Sequence, residues 1–245
     1  MNNNYFDYNE ESYNNSRLEN TINITAFAAL MRKVYLWMAL ALVVSGLTAF
    51  YVASNEAILT HIFASKGTIL ILCIIELGIV VFLSARIQKM SFATAGILFL
   101  IYSILNGVTL AVILLVYTLS SIASTFFITA GTFGAMSLIG YSTKRDLSSI
   151  GRYLIFALIG IIIASIVNLF LHQSVLQLVI SIFGVLIFIG LTAYDTQKIK
   201  QMFLVYGGEV NESSQKLALW GSLTLYLDFI NLFLYLLRFF GKGRD

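Results

Sequence analysis

Three acidic residues stand inside the long apolar runs of this 245-residue chain: Glu76, Asp195 and Asp228. A carboxylate at the centre of a membrane-spanning helix costs roughly 2.5–3.5 kcal/mol on insertion scales, so each one needs a reason. One interpretation is a proton- or cation-responsive site facing the interior of a helix bundle. The other is a structural polar residue that is hydrogen-bonded or close to the wet interface. Asp228 favours function because it lies near the middle of its run, whereas Asp195, followed by Lys198 and Lys200, leaves both interpretations open.

The last apolar run carries a single polar stripe. Asp228, Asn231 and Tyr235 follow the spacing i, i+3 and i+7, which places them on one face of a helix. Lipid cannot hydrogen-bond such a stripe, so we expect the last helix to lie at the centre of a bundle. Glu76 and Asn106 are further candidates for a polar or pore-lining face, and an interhelical hydrogen bond is the structural alternative for Asn106.

Arg86 ends the second apolar run and is the cation that could meet these acids. It stands ten residues after Glu76, so the two are neither adjacent nor on one helix face. We expect Arg86 to reach an acid on another helix at the cytoplasmic side. The alternative is an interfacial arginine that snorkels to the headgroups, and the residue pattern alone slightly favours it.

The composition excludes several classes of protein. Hydrophobic residues make up 59% of the chain and charged residues 11%, against about 25% charged in a soluble globular protein. This excludes a soluble enzyme, a disordered chain and a nucleic-acid-binding domain, and the net charge of +3 is too small for a polyanion partner. One cysteine and two histidines leave no multi-cysteine metal site and no HExxH motif. We therefore expect no catalytic residues and no cofactor.

The apolar runs predict an all-α polytopic membrane protein, because a helical span needs about 20 apolar residues. Two of the runs are long enough to cross twice, with turns near Thr118–Ser121 and near His172. The expected seven spans are Val34–Ser54, Gly67–Ala85, two within Met90–Thr143, two within Tyr153–Tyr194, and Leu217–Phe239. A run of glycines in the fourth span predicts a close-packing face: Gly131, Gly134 and Gly140.

Basic residues orient these spans. Most Lys and Arg residues fall on the side of the N-terminus, which predicts a cytoplasmic N-terminus. Residues 1–30 are expected to form a disordered acidic, Asn-rich cytoplasmic tail, 31–241 the seven-helix domain and 242–245 a short C-terminal tail. Seven spans place Arg238, Lys242 and Arg244 outside, against the positive-inside rule. Either the last helix is forced across by its neighbours, or it does not span fully.

Two long motifs resemble the Bax inhibitor family of membrane proteins. They are GLTAYDTQKIK at Gly190–Lys200 and LYLDFINLFLYLLRFFG at Leu225–Gly241. Shorter matches are MRKVYLWMAL in the first span, the Ala85-Arg86 pair, and LNGVTL at Leu105–Leu110. The resemblance covers about residues 25–241 and points to a bacterial-type member in the cell inner membrane.

The resemblance implies a proton-sensitive calcium leak in which two aspartates share a site and an arginine latches it. By motif, the aspartates are Asp195 and Asp228, with calcium as the permeant ion, and the arginine is Arg86. Two neighbouring carboxylates in low dielectric cannot both ionise cheaply, so they should titrate as a pair. A shared proton would close the path by a hydrogen bond, full ionisation would open it by repulsion, and oxygen ligands suit calcium. A long linker between the last two helices departs from the family pattern.

Two other classes of function compete with a leak. An intramembrane aspartyl protease would share the two-aspartate layout, but it needs Gly-x-Gly-Asp where this chain has Tyr226-Leu227-Asp228. It also uses a proline-containing loop, and this chain has no proline. A stronger rival is a non-enzymatic regulator that binds a membrane-embedded protease or stress partner through helix–helix contacts. The other expected partners are the lipid bilayer, calcium ions and protons. We expect no nucleic-acid partner.

Overall fold

The computed structural model describes residues 4–63, 65–205 and 211–244, with side chains from Thr25 onward except those of Phe63 and Lys66. Within these ranges the chain is helical, without a β-strand. The helices are α1 Asn4–Ala53, α2 Glu56–Phe63, α3 Lys66–Arg86, α4 Phe92–Val116, α5 Leu119–Ser142, α6 Ser148–Leu171, α7 Ser174–Val205 and α8 Glu212–Phe240. Seven of them are long and apolar enough to span a membrane, with α2 too short. The predicted all-α class and seven spans are confirmed.

Local sequence accounts for the helix boundaries. Ser91 and Thr118 accept hydrogen bonds from the backbone N–H three residues on, and so cap α4 and α5. Asn211 and Ser214 form a reciprocal capping box at the start of α8. His172 ends α6 in the left-handed conformation, at φ 51°. Both turns predicted inside the long apolar runs are therefore confirmed.

The prediction that the sixth span ends near Tyr194 is wrong. The helix continues to Val205, because Lys198 and Lys200 find partners on neighbouring helices and do not end it. Lys200 donates to the Tyr141 carbonyl at 3.1 Å, and Lys198 lies over the Trp220 ring at 5.2 Å. The longer α7 moves Asp195 away from a helix end and into the bundle.

The first span also begins earlier than Val34. The span runs from Thr25 to Ala53, and Phe27 and Leu30 are buried in the core. Arg32 and Lys33 lie within the helix and do not mark its start. The backbone before Thr25 continues α1 to Asn4, and the disorder and cytoplasmic location predicted for that tail stay predictions.

Helix α8 is the most buried of the seven candidate spans. It packs against α1, α4, α5 and α7, whereas α6 packs mainly against α7, and α3 mainly against α4. Of the most apolar 18-residue stretch of α8, 56% is buried inside the bundle, against 6% for the corresponding stretches of α3 and α6. These contacts favour the predicted central position of the last helix, and they leave α3 and α6 facing the lipid.

The segment after α8 returns to the turn between α4 and α5. Thr118 N donates to the Lys242 carbonyl at 3.1 Å, and Arg244 N donates to the Val116 carbonyl at 2.8 Å. The last helix therefore crosses the full bundle, and its C-terminal end lies at the same end as this turn. The length of α8 suits a full crossing, and the choice between the two alternatives for the basic C-terminus stays a prediction. Which end faces the cytoplasm stays a prediction.

Candidate functional site

The structure brings Asp195 on α7 and Asp228 on α8 together. Their carboxyl groups lie within hydrogen-bonding reach of each other. Both side chains are buried, with 8% of Asp195 and 4% of Asp228 exposed. The contact depends on the length of α7, because this helix continues past Asp195 to Val205. The sequence places the two acids on consecutive spans but does not show that they meet.

One oxygen of this pair has no donor. Asp228 Oδ2 is buried and accepts no hydrogen bond from any residue that the structure describes. Two ionised carboxylates are acceptors only, so a hydrogen bond between them requires that one carries a proton. Burying an unpaired charge is costly, and the arrangement therefore calls for a proton or a cation between the two acids.

Lys198 is the cation that acts on Asp195 electrostatically. Its ammonium group lies over the rings of Tyr194 and Trp220, at 5.7 Å and 5.2 Å from their centroids. Among the described residues, it forms no ion pair with either aspartate. The charge of the acid pair is thus moderated by Lys198 but not neutralised by direct contact.

A chain of hydroxyl groups begins at Thr196, the residue after Asp195, and connects three helices. Ser137 on α5 and Thr196 on α7 are hydrogen-bonded at 3.0 Å, and the Tyr35 hydroxyl on α1 bonds to Ser137. All but Tyr35 are buried. The sequence analysis missed these residues; the one available signal was that Thr196 directly follows the acid.

Aromatic rings fill the space between α5 and α8 on the other side of the acids. Phe229, which directly follows Asp228, packs against Phe133 at 5.5 Å and Phe126 at 5.4 Å between ring centroids. Phe126 also meets Phe233. We call Phe126, Phe133, Phe229 and Phe233 the phenylalanine cluster. Phe229 and Phe233 follow Asp228 along α8, so the cluster lies between the acids and the end that carries the α4–α5 turn.

Glu76 and Asn106 belong to a second polar network. Thr109 donates to Glu76 Oε1 at 3.1 Å, and Tyr226 donates to Asn106 Oδ1 at 2.9 Å. The Tyr226 hydroxyl also bonds to Ser45 at 2.6 Å. Tyr226 is two residues before Asp228 and so points to the opposite face of α8. Asn106 therefore forms an interhelical hydrogen bond, which was the structural alternative for this residue. The sequence analysis missed Tyr226 and Ser45.

Arg86 lies apart from the aspartates. It is exposed at the end of α3 and forms no ion pair with Asp195 or Asp228 in the described part of the chain. The structure thus shows the arginine disengaged, in a position that also suits snorkelling to the interface. The latch role stays a prediction.

The other two members of the predicted polar stripe do not join the acid pair. Asn231 donates to the carbonyl of Leu227 on its own helix at 2.8 Å. Tyr235 stacks on Phe188 with centroids 5.8 Å apart, and it carries the Arg238 guanidinium over its ring at 5.6 Å. Neither makes a hydrogen bond to an aspartate among the described contacts.

The acid pair offers few ligands for a metal. The described residues contain no group of three or more His, Cys, Asp and Glu side chains that could hold one. Calcium usually takes six to eight oxygen ligands. Two carboxylates and nearby hydroxyls suit a passing, partly hydrated cation better than a tightly held one.

The fold and this site define an integral membrane protein with seven helical spans and a buried pair of carboxyl groups. Residues 28–245 match the family model described as "Inhibitor of apoptosis-promoting Bax1". The chain therefore belongs to the Bax inhibitor family, as its two long motifs predict.

Bacterial relatives cover most of the chain. The inner membrane protein YbhL of Escherichia coli (strain K12) is 49% identical over 214 residues, which span 87% of this chain and 92% of the relative. The uncharacterized protein RP147 of Rickettsia prowazekii is 49% identical over 215 residues, 88% of this chain and 90% of its own length. A protein of Borreliella burgdorferi is 47% identical over 215 residues, 88% of this chain and 92% of its own length.

Proposed function

We propose that this protein is a pH-sensitive calcium leak channel gated by Asp195 and Asp228. The observation that carries the proposal is the buried Asp228 Oδ2, which has no donor among the described residues and belongs to a carboxyl group that interacts with Asp195. A proton shared by the pair satisfies that oxygen and holds α7 against α8. When the proton leaves, two like charges face each other in a site of low dielectric, and separation of the helices relieves the repulsion.

The surroundings of the pair fit an ion path that is closed in this conformation. On one side, the hydroxyls of Thr196, the residue after Asp195, and of its partner Ser137 would supply oxygen atoms along the path. On the other side, the phenylalanine cluster blocks the way with apolar rings, and such constrictions gate channels by excluding water. Movement of α8 away from α5 would open this barrier, because Phe229 and Asp228 are consecutive residues on one helix.

The same proposal includes the cellular setting. The protein resides in the inner membrane. Its Escherichia coli relative is named as an inner membrane protein, which supports this location. Its N-terminus faces the cytoplasm, which the basic residues at that end of the spans support. Calcium and protons act on the site as a permeant ion and a regulator, and no covalent chemistry is involved.

The proposal is tested by calcium flux into liposomes that contain the purified protein and a calcium-sensitive dye. The protein alone should pass calcium, at a rate that depends on the external pH. Asp228→Asn keeps the shape of the side chain and removes its charge, so it should change that pH dependence. Lys216→Gln is a matched control, since Lys216 pairs with Glu212 at 2.8 Å near the start of the same helix, away from the acids.

The outcome separates a channel from a regulator. A regulator that acts only by binding a membrane protease or stress partner passes no calcium alone. Absence of flux in liposomes, with the protein folded and correctly inserted, would refute the channel. Flux that is equal at all pH values in the native protein would refute the gating by the acid pair.

A further inference from the structure

A large cavity opens between α6, α7 and α8, at the end of the bundle where α6 turns into α7. Its volume is about 610 Å³, within the roughly 300–1,000 Å³ typical of pockets for small ligands. Its lining includes Arg238 and Tyr235 of α8, Asn168 of α6, and His172 at the turn. The cavity is separate from the acid pair, and the inference from it does not depend on ion conduction.

The charge of the cavity favours an anion. Arg238 and His172 line it, and none of the described residues in the lining is acidic. Arg238 forms no ion pair in the described part of the chain, and its guanidinium rests over the Tyr235 ring. Asn168 and Gln177 add amide groups to the same lining. A guanidinium with adjacent amide donors matches the geometry of a phosphate group.

The other walls are apolar and face the membrane. Ile162, Ile166 and Leu169 line the cavity and belong to the exposed side of α6. Because α6 is a membrane-spanning helix that packs mainly against α7, these side chains meet lipid chains. A free inorganic anion would leave this apolar surface without a partner. The lining thus combines a phosphate site at the helix ends with a groove for a hydrocarbon chain.

We propose that the cavity binds one anionic phospholipid, with its phosphate at Arg238 and an acyl chain along Ile166 and Leu169. The net negative charge of the lipid compensates Arg238, which has no acidic neighbour among the described residues of the cavity lining. The site also gives a reason for the basic C-terminal end, which departs from the positive-inside pattern.

The test is a lipid titration of the detergent-purified protein followed by native mass spectrometry. The probes are dioleoyl phosphatidylglycerol, dioleoyl phosphatidylcholine with the same chains, and inorganic phosphate. We expect one phosphatidylglycerol to bind about tenfold more tightly than phosphatidylcholine, because the choline cation of phosphatidylcholine offsets the charge of its phosphate. Inorganic phosphate should not compete at equal concentration.

Variants separate this cavity from a general effect of surface charge. Arg238→Gln should reduce phosphatidylglycerol affinity about tenfold and phosphatidylcholine affinity by less, so that the preference between the two lipids falls. Lys242→Gln removes the same charge from the same end outside the cavity lining and should have little effect. Ser165→Trp occupies part of the cavity while keeping Arg238, and it should weaken preferential binding. Equal losses in Arg238→Gln and Lys242→Gln, or displacement of the lipid by inorganic phosphate, would overturn the proposal.

Discussion

Substitution of Gly140 by alanine should separate α5 from α7, the helix that carries Asp195. A Cβ atom added at Gly140 would lie 2.2 Å from the Ala193 carbonyl oxygen and 2.9 Å from the Ala193 Cα. Favourable contacts between carbon atoms begin near 3.5 Å, so α5 and α7 must move apart by roughly 1 Å. The obstructing atoms are backbone atoms of a helix, which cannot rotate away as a side chain could.

The expected cost follows from this geometry. Overpacking in a well-packed interior costs about 1–3 kcal/mol, and we expect the upper half of that range because backbone atoms must move. Gly134→Ala is a matched control on the same helix, since nothing lies within 4 Å of its added Cβ. There the substitution should stabilise by roughly 0.5–1 kcal/mol, the usual helix preference for alanine over glycine.

The assay is equilibrium unfolding of each purified variant in mixed detergent micelles, followed by tryptophan fluorescence. The two variants should differ by about 2–4 kcal/mol, with Gly140→Ala the less stable. Ala193 is two residues before Asp195, so Gly140→Ala should also alter the pH dependence of calcium flux, whereas Gly134→Ala should not. Equal stability of the two variants would refute the close approach of α5 and α7.

Three further predictions concern other parts of the molecule. Arg86→Ala should raise basal calcium flux by removing a latch, and Arg86→Lys should restore it only in part, because lysine lacks the planar bidentate guanidinium; unchanged flux at normal expression would make Arg86 an interfacial charge only. A reporter fused after Asp245 should lie outside the cytoplasm, and a cytoplasmic reporter would contradict the proposed orientation. Tyr226→Phe should lower the free energy of unfolding by roughly 0.6–1.7 kcal/mol, because the half-buried Asn106 and the buried Ser45 lose a partner. Tyr102→Phe is its control, since Tyr102 has no described hydrogen bond, and equal effects would contradict the network.

The fold could be predicted from the sequence because the membrane imposes a simple rule. Long uncharged runs must form helices, and their lengths fix how often each run crosses. The predicted spans are shorter than the helices at two ends, because charged residues lie inside α1 and α7 and do not end them. Lys198 and Lys200 lie inside α7 because their ammonium groups rest over the rings of Trp220 and Tyr141. The sequence does not show such partners in advance.

The candidate site was predictable only in part. Asp195 and Asp228 stand out because acids are rare in apolar spans, and the motifs place both in one family pattern. The hydroxyl groups of Ser137 and Tyr35 do not stand out, because similar residues occur throughout the spans. Their role depends on which helices are neighbours, and that follows from packing of the whole bundle.

Glycine positions show the same limit. Gly131, Gly134 and Gly140 predict one close-packing face, but only Gly140 approaches another helix closely, while the other two have open space at the Cβ position. Spacing along one helix defines a face but not its neighbour. The prediction of close packing was therefore wrong for Gly131 and Gly134.

The most direct test of the acid pair is a double-mutant cycle in the pH profile of calcium flux. Liposomes with the native protein, Asp195→Asn, Asp228→Asn or the double variant are compared across near-neutral pH. Flux through the native protein should change over this range. Each single variant should shift the profile toward acid or abolish it, and the double variant should be no worse than the more severe single variant, because the two acids act as a unit. Native pH profiles in both single variants, or effects that simply add, would contradict a shared site.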